Sequence, residues 1–472
     1  MIRLVACLLI FLPAASVLLY VRLFGVNFPY WDDWALVPLF GKLCSGTLNI
    51  GDLWAPHNDH RQLFARIIML LLGVITKYNT VAEMYLIWVC FLVTLVIILL
   101  AFRRGIESEL KLLYFVPVAF LIFSLRQWQN FLHGFEVVVA FSITFGILAL
   151  YLLHSLEHSR SKTLVFLAAL GSATVASFSV AQGLLVWPAG LLQLFLLRLE
   201  KRAKGVLIGA WCLVGAGEWI VYFYGLMRPP WNPPLGYVLD NPLIGIEYFL
   251  ALLGGLPFTL LSVAIVGGSL LIGLAGTSLL LVYRDRKLGE YSFWIVLLCF
   301  SLLALASITV GRAGLGANVD ELGEAGRAVI ANLKAHSIPL GLESALTSRY
   351  TSFSILAVVS IYAMLVKLMS EKKSYLATAL LGILSGFILL SVAVTFVHGL
   401  TIGKAEEAFR QRAAFVLATH ESQSDERLEK YLVDTYGRHS PIILREYVPT
   451  LERLGYSVFA EREEMGTCDA DN

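Results

Sequence analysis

Two adjacent carboxylates, Asp32 and Asp33, stand in the run Phe28-Pro29-Tyr30-Trp31-Asp32-Asp33-Trp34, directly after the first long apolar segment. Charge beside a bilayer is costly enough to need a reason. Tyr30, Trp31 and Trp34 can wall a partly desolvated pocket. Desolvation raises the basicity of a carboxylate, which a general base needs in order to take a hydroxyl proton. The same residues also suit a plainer role, because acids cap helices and aromatics populate membrane interfaces. The pair alone does not choose between the two.

Three further polar clusters share this ambiguity. In His57-Asn58-Asp59-His60-Arg61 the histidines at i and i+3 have metal-ligand chemistry with Asp59, but no third histidine is near, and Asp59 also suits a helix cap. Arg61, opening an apolar stretch, suits a phosphate better. Arg126-Gln127-Trp128-Gln129-Asn130, with His133, Gly134 and Glu136, offers amides beside an indole. Sugar hydroxyls would use such a surface, and so would an ordinary interfacial turn. The segment from Gly311-Arg312 to Ser348-Arg349-Tyr350 is bracketed by two arginines. They can snorkel to lipid phosphates or hold a phosphate leaving group.

What must position these groups follows from composition. The 472 residues are 58% hydrophobic and 15% charged, whereas a soluble domain carries roughly 25% charged residues. The pattern predicts an all-α, polytopic transmembrane bundle; alternating strands of an outer-membrane barrel are not seen. Apolar runs at 4–24, 82–102, 112–125, 136–153, 163–180, 183–198, 205–224, 259–283, 291–310, 351–369 and 375–397 give about eleven crossings. The first reads as a retained signal-anchor helix. Residues 35–45, 63–75 and 245–257 read as shorter helices lying along the membrane. The six cysteines (Cys7, Cys44, Cys90, Cys212, Cys299, Cys468) show no CxxC spacing, and a Cys44–Cys468 bridge on the outer side is conceivable.

Orientation follows from the basic loops. Arg103, Arg104 and Lys111; Arg160 and Lys162; Arg198, Lys201, Arg202 and Lys204; Arg284, Arg286 and Lys287; and Lys367, Lys372 and Lys373 fall in alternate short loops. Those loops are assigned to the cytoplasm, so the N-terminus lies inside and the tail outside. Every unusual polar cluster then falls on the extracytoplasmic side. The chain divides into a membrane domain, 1–402, with its first outer loop at 25–80, and a small charged helical tail, 403–472.

With these residues in place, the chain resembles the GT-C superfamily of integral-membrane glycosyltransferases, in particular bacterial members that use polyprenyl-phosphate sugars. The likeness rests on the acidic pair after the first helix (here Asp-Asp, where the family usually has Asp-Glu). It extends to His57 through Arg61, to Gln127 through Glu136, and to Gly311-Arg312 with Ser348-Arg349-Tyr350. It implies an inner-membrane enzyme with its site facing the periplasm and no cofactor. Asp32 would be general base and Asp33 its helper. Arg61, Arg312 and Arg349 would hold the phosphate, and His57, His60, Trp128, Asn130, Glu136 and Tyr350 would contact substrate. The partners implied are a polyprenyl-phosphate sugar, a glycan or lipid acceptor and the bilayer, with no nucleic acid. A lipid-linked sugar flippase, an O-antigen polymerase or ligase, and a structural scaffold are the alternatives. A flippase would carry polar groups near the bilayer midplane, where Glu218 is the main acid.

Overall fold

The computed structural model describes residues 2–105, 110–229, 231–317, 319, 322–335, 339–372, 374–432 and 443–460. Among them the chain is helices and turns, with no strand. Helix α1 (Ile2–Phe24) leads into the pieces of the first long loop, α2 (Val37–Cys44), α3 (Ile50–Trp54) and α4 (Leu63–Thr76). Then come α5 (Thr80–Gly105), α6 (Lys111–Ile122), α7 (Trp128–Leu132), α8 (Val137–Ser155), α9 (Lys162–Ser177) and α10 (Val186–Leu196). The order continues with α11 (Lys201–Phe223), α12 (Tyr237–Asp240), α13 (Pro242–Gly254), α14 (Leu261–Arg284) and α15 (Ser292–Arg312). Last are α16 (Glu324–Ala335), α17 (Thr351–Lys372) and α18 (Tyr375–Ala418), followed by short tail helices.

Nine stretches among the described residues are long and apolar enough to cross a bilayer: Ile2–Phe24, Thr80–Gly105, Lys111–Leu132, Gly134–His158, Lys201–Phe223, Leu261–Arg284, Ser292–Arg312, Ser348–Glu371 and Tyr375–Ala418. The chain is thus a multi-pass helical membrane protein. The two remaining expected crossings, 163–180 and 183–198, take the form of the shorter apolar helices Lys162–Ser177 and Ala181–Leu196. Each falls short of the roughly 20 residues a free-standing span needs. Helix α17 runs through the centre, buried from Phe353 to Leu368. By contrast α1 turns Leu4, Leu8, Phe11, Leu19 and Leu23 outward, an apolar exterior that lipid satisfies and water does not.

The boundary expected at 403 falls inside α18, whose 44 residues run unbroken from Tyr375 to Ala418. At 1.5 Å per residue that is roughly 66 Å, about twice the hydrocarbon thickness. The tail beyond it folds back onto the first loop. Tyr447 stacks on Trp34 at 6.1 Å, Tyr456 meets Phe40 at 5.3 Å, and Ser457 donates its N–H to the Lys77 carbonyl at 2.8 Å. Tail and membrane helices share one core. Cys44 is held in a disulfide; Cys468, its candidate partner, lies outside the described residues.

Small residues set the closest helix pair. A Cβ on Gly268 would lie 2.0 Å from the Leu250 carbonyl oxygen, and one on Gly254 would lie 2.1 Å from both the Ala264 oxygen and the Gly268 nitrogen. The backbones of α13 and α14 therefore touch, the packing that glycines make possible between membrane helices. Replacing Gly268 with Ile should lower stability by about 1–3 kcal/mol or more, the cost of overpacking. A melting temperature in detergent equal to wild type would contradict this packing.

Candidate functional site

The polar clusters singled out by type come together at one end of the bundle. They occupy the chain before α5, α8 and α17 and after α11 and α15. Asp33 is the anchor. It is 1% exposed, and both its oxygens are engaged: Oδ2 accepts the Tyr30 N–H at 3.0 Å and Oδ1 the Phe135 N–H at 2.9 Å. Its own carbonyl accepts the Tyr78 hydroxyl at 2.6 Å. Burial pushes the Asp33 carboxyl up to about 7. The expected helper of the base is therefore turned inward, binding the first loop to the turn before α8.

Asp32 faces the other way, with its side chain 17% exposed. Its Oδ1 lies 2.8 Å from His57 Nε2. His57 is itself 4% exposed, and its backbone is paired with His60 through reciprocal hydrogen bonds of 2.8 and 3.0 Å. Trp31, just before the pair, has φ 55° and ψ −111°, a region that bulky residues enter only under strain. A small apolar group of Leu315, Val329, Ile330 and Leu333, on and before α16, packs over Trp31 and Trp231.

Arg349 stands beside Glu136. Its Nη1 is 3.9 Å from Glu136 Oε1, its guanidinium lies over the Tyr350 ring at 5.5 Å, and its side chain is 40% exposed. Asn130 holds this corner, donating Nδ2 to the Arg349 carbonyl at 3.2 Å and to Ser352 Oγ at 2.7 Å. Gln129 Oε1 accepts the Arg349 N–H at 3.2 Å. Asp32 acts electrostatically on both Arg349 and Glu136. Trp128 meets His133 edge-on at 5.7 Å, and His133 meets Tyr30 at 5.4 Å.

The remaining arginines divide. Arg312 Nη2 lies 3.6 Å from Asp59 Oδ1, and its Nη1 donates to Asn232 Oδ1 at 2.9 Å. His60 Nε2 approaches the same Asp59 oxygen at 3.5 Å. Burial opposes ionisation of Asp59, but His60 and Arg312 outweigh it and hold the carboxyl below its usual range. Burial also lowers His60, which favours its neutral form. Arg61 instead ties the strap to α11: Nε, Nη1 and Nη2 donate to the carbonyls of Tyr222, Trp54 and Tyr224 at 2.8, 2.9 and 2.6 Å. It also covers the Trp54 ring at 4.7 Å. Arg126 is a similar staple, reaching the carbonyls of Gly255 and Leu346. His57 and His60 serve different carboxylates, and among the described residues no group of three or more His, Cys, Asp or Glu is arranged for a metal.

Three contributors carry no local motif. Arg410, on α18 and 1% exposed, stacks on Tyr30 at 4.9 Å, pairs with Glu406 at 3.2 Å and donates to the Leu132 carbonyl. Glu83, at the start of α5 and 1% exposed, packs against Gly134, where a Cβ would sit 2.2 Å from its Oε2. Asn232 ends a Trp-Asn pair before α12. Only the i, i+4 spacing of Glu406 and Arg410 hints at any of this. No protein family, curated protein or solved structure matches the chain.

The raised carboxyl of Asp33 has a consequence for stability. The folded chain keeps a proton that the unfolded chain releases above its ordinary value of 3.8, up to about 7 in the fold. Stability attributable to this group therefore falls as pH rises through that window. Asp33→Asn should flatten the change in melting temperature between pH 5 and pH 7.5. An equally steep decline in the variant would remove Asp33 as its source.

Proposed function

We propose that this chain is a membrane glycosyltransferase of the GT-C type. It would move a sugar from a polyprenyl-phosphate donor to an acceptor hydroxyl on the extracytoplasmic side of a bacterial inner membrane. The observation that carries the reading is the setting of Asp32. Its side chain, 17% exposed, is oriented by His57 at 2.8 Å, and the Arg349–Glu136 and Arg312–Asp59 pairs belong to the same end of the bundle. A base and guanidinium donors at one end of the bundle are what inverting transfer from a phosphate leaving group needs.

In this mechanism Asp32 takes the proton from the acceptor hydroxyl as its oxygen attacks the anomeric carbon. The bond from that carbon to the phosphate oxygen breaks, and its electron pair leaves with the polyprenyl phosphate. Arg349, half-exposed and fixed at its backbone by Gln129 and Asn130, would meet the growing phosphate charge. Arg312, paired with Asp59 and bonded to Asn232, serves a different carboxylate. Arg61, engaged with three backbone carbonyls, is better suited to shaping the strap. Asp33 would position the base, Trp128 and Tyr350 would line the sugar's approach, and Asn130, buried and bonded to Arg349 and Ser352, would hold the arginine in place.

The basic loops favour an inside N-terminus. Counting the paired short helices α9 and α10 as a hairpin or as two crossings leaves the tail on the same side, so the site reads as outward-facing either way. A flippase would use polar groups within the spans. Glu218, the main acid there, receives the Trp187 indole N–H at 3.0 Å, which gives it a local partner.

The test uses the full chain in proteoliposomes with a panel of polyprenyl-phosphate sugars. Asp32→Asn should cut transfer by about 10²–10⁴-fold, the usual worth of a general base. Arg349→Gln should lower kcat more than it raises KM. Undiminished transfer by Asp32→Asn would dismiss Asp32 as the base. Movement of the donor between leaflets with no transfer would dismiss the enzyme.

A further inference from the structure

The group around Asp59 has chemistry left over after the transfer reaction is assigned. Asn232 is 7% exposed; its Oδ1 is occupied by Arg312, yet its Nδ2 is buried with no hydrogen-bond partner among the described residues. His60 Nδ1 is likewise buried and unpartnered. Asp59 Oδ1 has only the longer approaches of His60 and Arg312, at 3.5 and 3.6 Å, and no hydrogen bond. Native structures leave few such groups, and their gathering in one place calls for a ligand or ordered water. Asn58, which precedes Asp59, has φ 52°, so the backbone is bent just where it presents this carboxylate.

The charges narrow the ligand. Arg228 acts on both Asp59 and Arg312 and is close to the same group. Two guanidiniums then face one carboxylate, with His60 favoured neutral. Arg349 also acts on Arg312 and Asp32 on His60, and the guanidiniums stand beside an amide donor, an imidazole nitrogen and a carboxylate acceptor. Hydroxyls, which both donate and accept, satisfy the polar atoms, and an anion satisfies the arginines.

We propose that Asp59, His60, Asn232 and Arg312 form a second binding site, for an anionic saccharide: a pyranose bearing a carboxylate or a phosphate. Arg349 is not a member of the site, which is joined to the Asp32 centre through the paired backbones of His57 and His60. It does not require the transferase reading. Under that reading it is where an acidic acceptor glycan docks.

Saturation-transfer NMR on the full chain in nanodiscs tests it, with glucuronate, glucose 1-phosphate, glucose and inorganic phosphate as probes. Glucuronate or glucose 1-phosphate should bind, and which of the two is preferred distinguishes carboxylate from phosphate. Neutral glucose should be weaker. Asn232→Leu and Arg312→Gln should each reduce binding about tenfold, the effect of losing one hydrogen bond to a charged group. Asn232→Asp, which keeps the size of the side chain but exchanges the buried donor for a carboxylate that also repels an anion, keeps the comparison informative where the bulkier change disturbs folding, and it should bind as poorly. Lys42→Ala, at an exposed ion pair with Asp52, should bind like wild type.

No binding of either anionic sugar, equal binding of glucose, or full binding by Asn232→Asp and Arg312→Gln would overturn the site. Full displacement by equimolar inorganic phosphate would overturn its saccharide character. Saccharide binding by a chain that transfers no sugar would retire the transferase and leave this site standing. Transfer without anionic-saccharide binding would do the reverse.

Discussion

A carboxylate that is almost fully buried must have its oxygens satisfied, because an unpartnered buried charge costs several kcal/mol. Asp33 meets that demand with two backbone amides from different parts of the chain, Tyr30 at 3.0 Å and Phe135 at 2.9 Å. The same residue accepts the Tyr78 hydroxyl at its carbonyl, bringing the approach to α5 into the same node. With Asp33 turned inward, the next residue back along a tight turn must turn outward, and Trp31 takes an unfavourable φ to allow it. Strain of this kind costs of order 1–3 kcal/mol and persists only where the surroundings over-determine it. The orientation of Asp32 is thus a consequence of Asp33.

The surrounding bundle repeats the same device with cations. Arg61, Arg126 and Arg410 are buried, and each donates to backbone carbonyls of a distant segment. They join the strap at 57–61 to α11, the turn at 126 to the end of α13, and the long helix α18 to α7. Loops that would otherwise drift above a membrane bundle become a fixed frame. Arg312 and Arg349 differ, being more open and paired with carboxylates at 3.6 and 3.9 Å, too long for strong bonds. Their charge remains available to a ligand.

Much of this was legible in the sequence, for physical reasons that also explain the rest. Long apolar runs announce helices because nothing else satisfies a backbone in lipid, so the helical bundle followed directly. The runs at 163–180 and 183–198 outlast the helices α9 and α10 that formed there, since a run of hydrophobic residues does not record where its helix ends. The tail read as separate because its charge content changes at 403, but composition is blind to the stacking of Tyr447 on Trp34 and to a helix that continues through the change. Asp32, His57, Arg312 and Arg349 stood out by type. Which arginines are staples did not, because a guanidinium on three carbonyls and one facing a ligand look alike in one dimension. Asn232 and Arg410 owe their positions wholly to tertiary contacts.

The central claim is that Asp32 and Arg349 face one opening that receives a lipid phosphate. Cryo-electron microscopy of the full chain in nanodiscs with polyprenyl phosphate addresses it most directly. Phosphate density should lie within hydrogen-bonding reach of the Arg349 guanidinium, with the Asp32 carboxylate, still bonded to His57, across from it. Phosphate density at Arg61, or at the basic residues Lys287 and Lys367 at the opposite end of the bundle, with the space between Asp32 and Arg349 left to solvent, would contradict it.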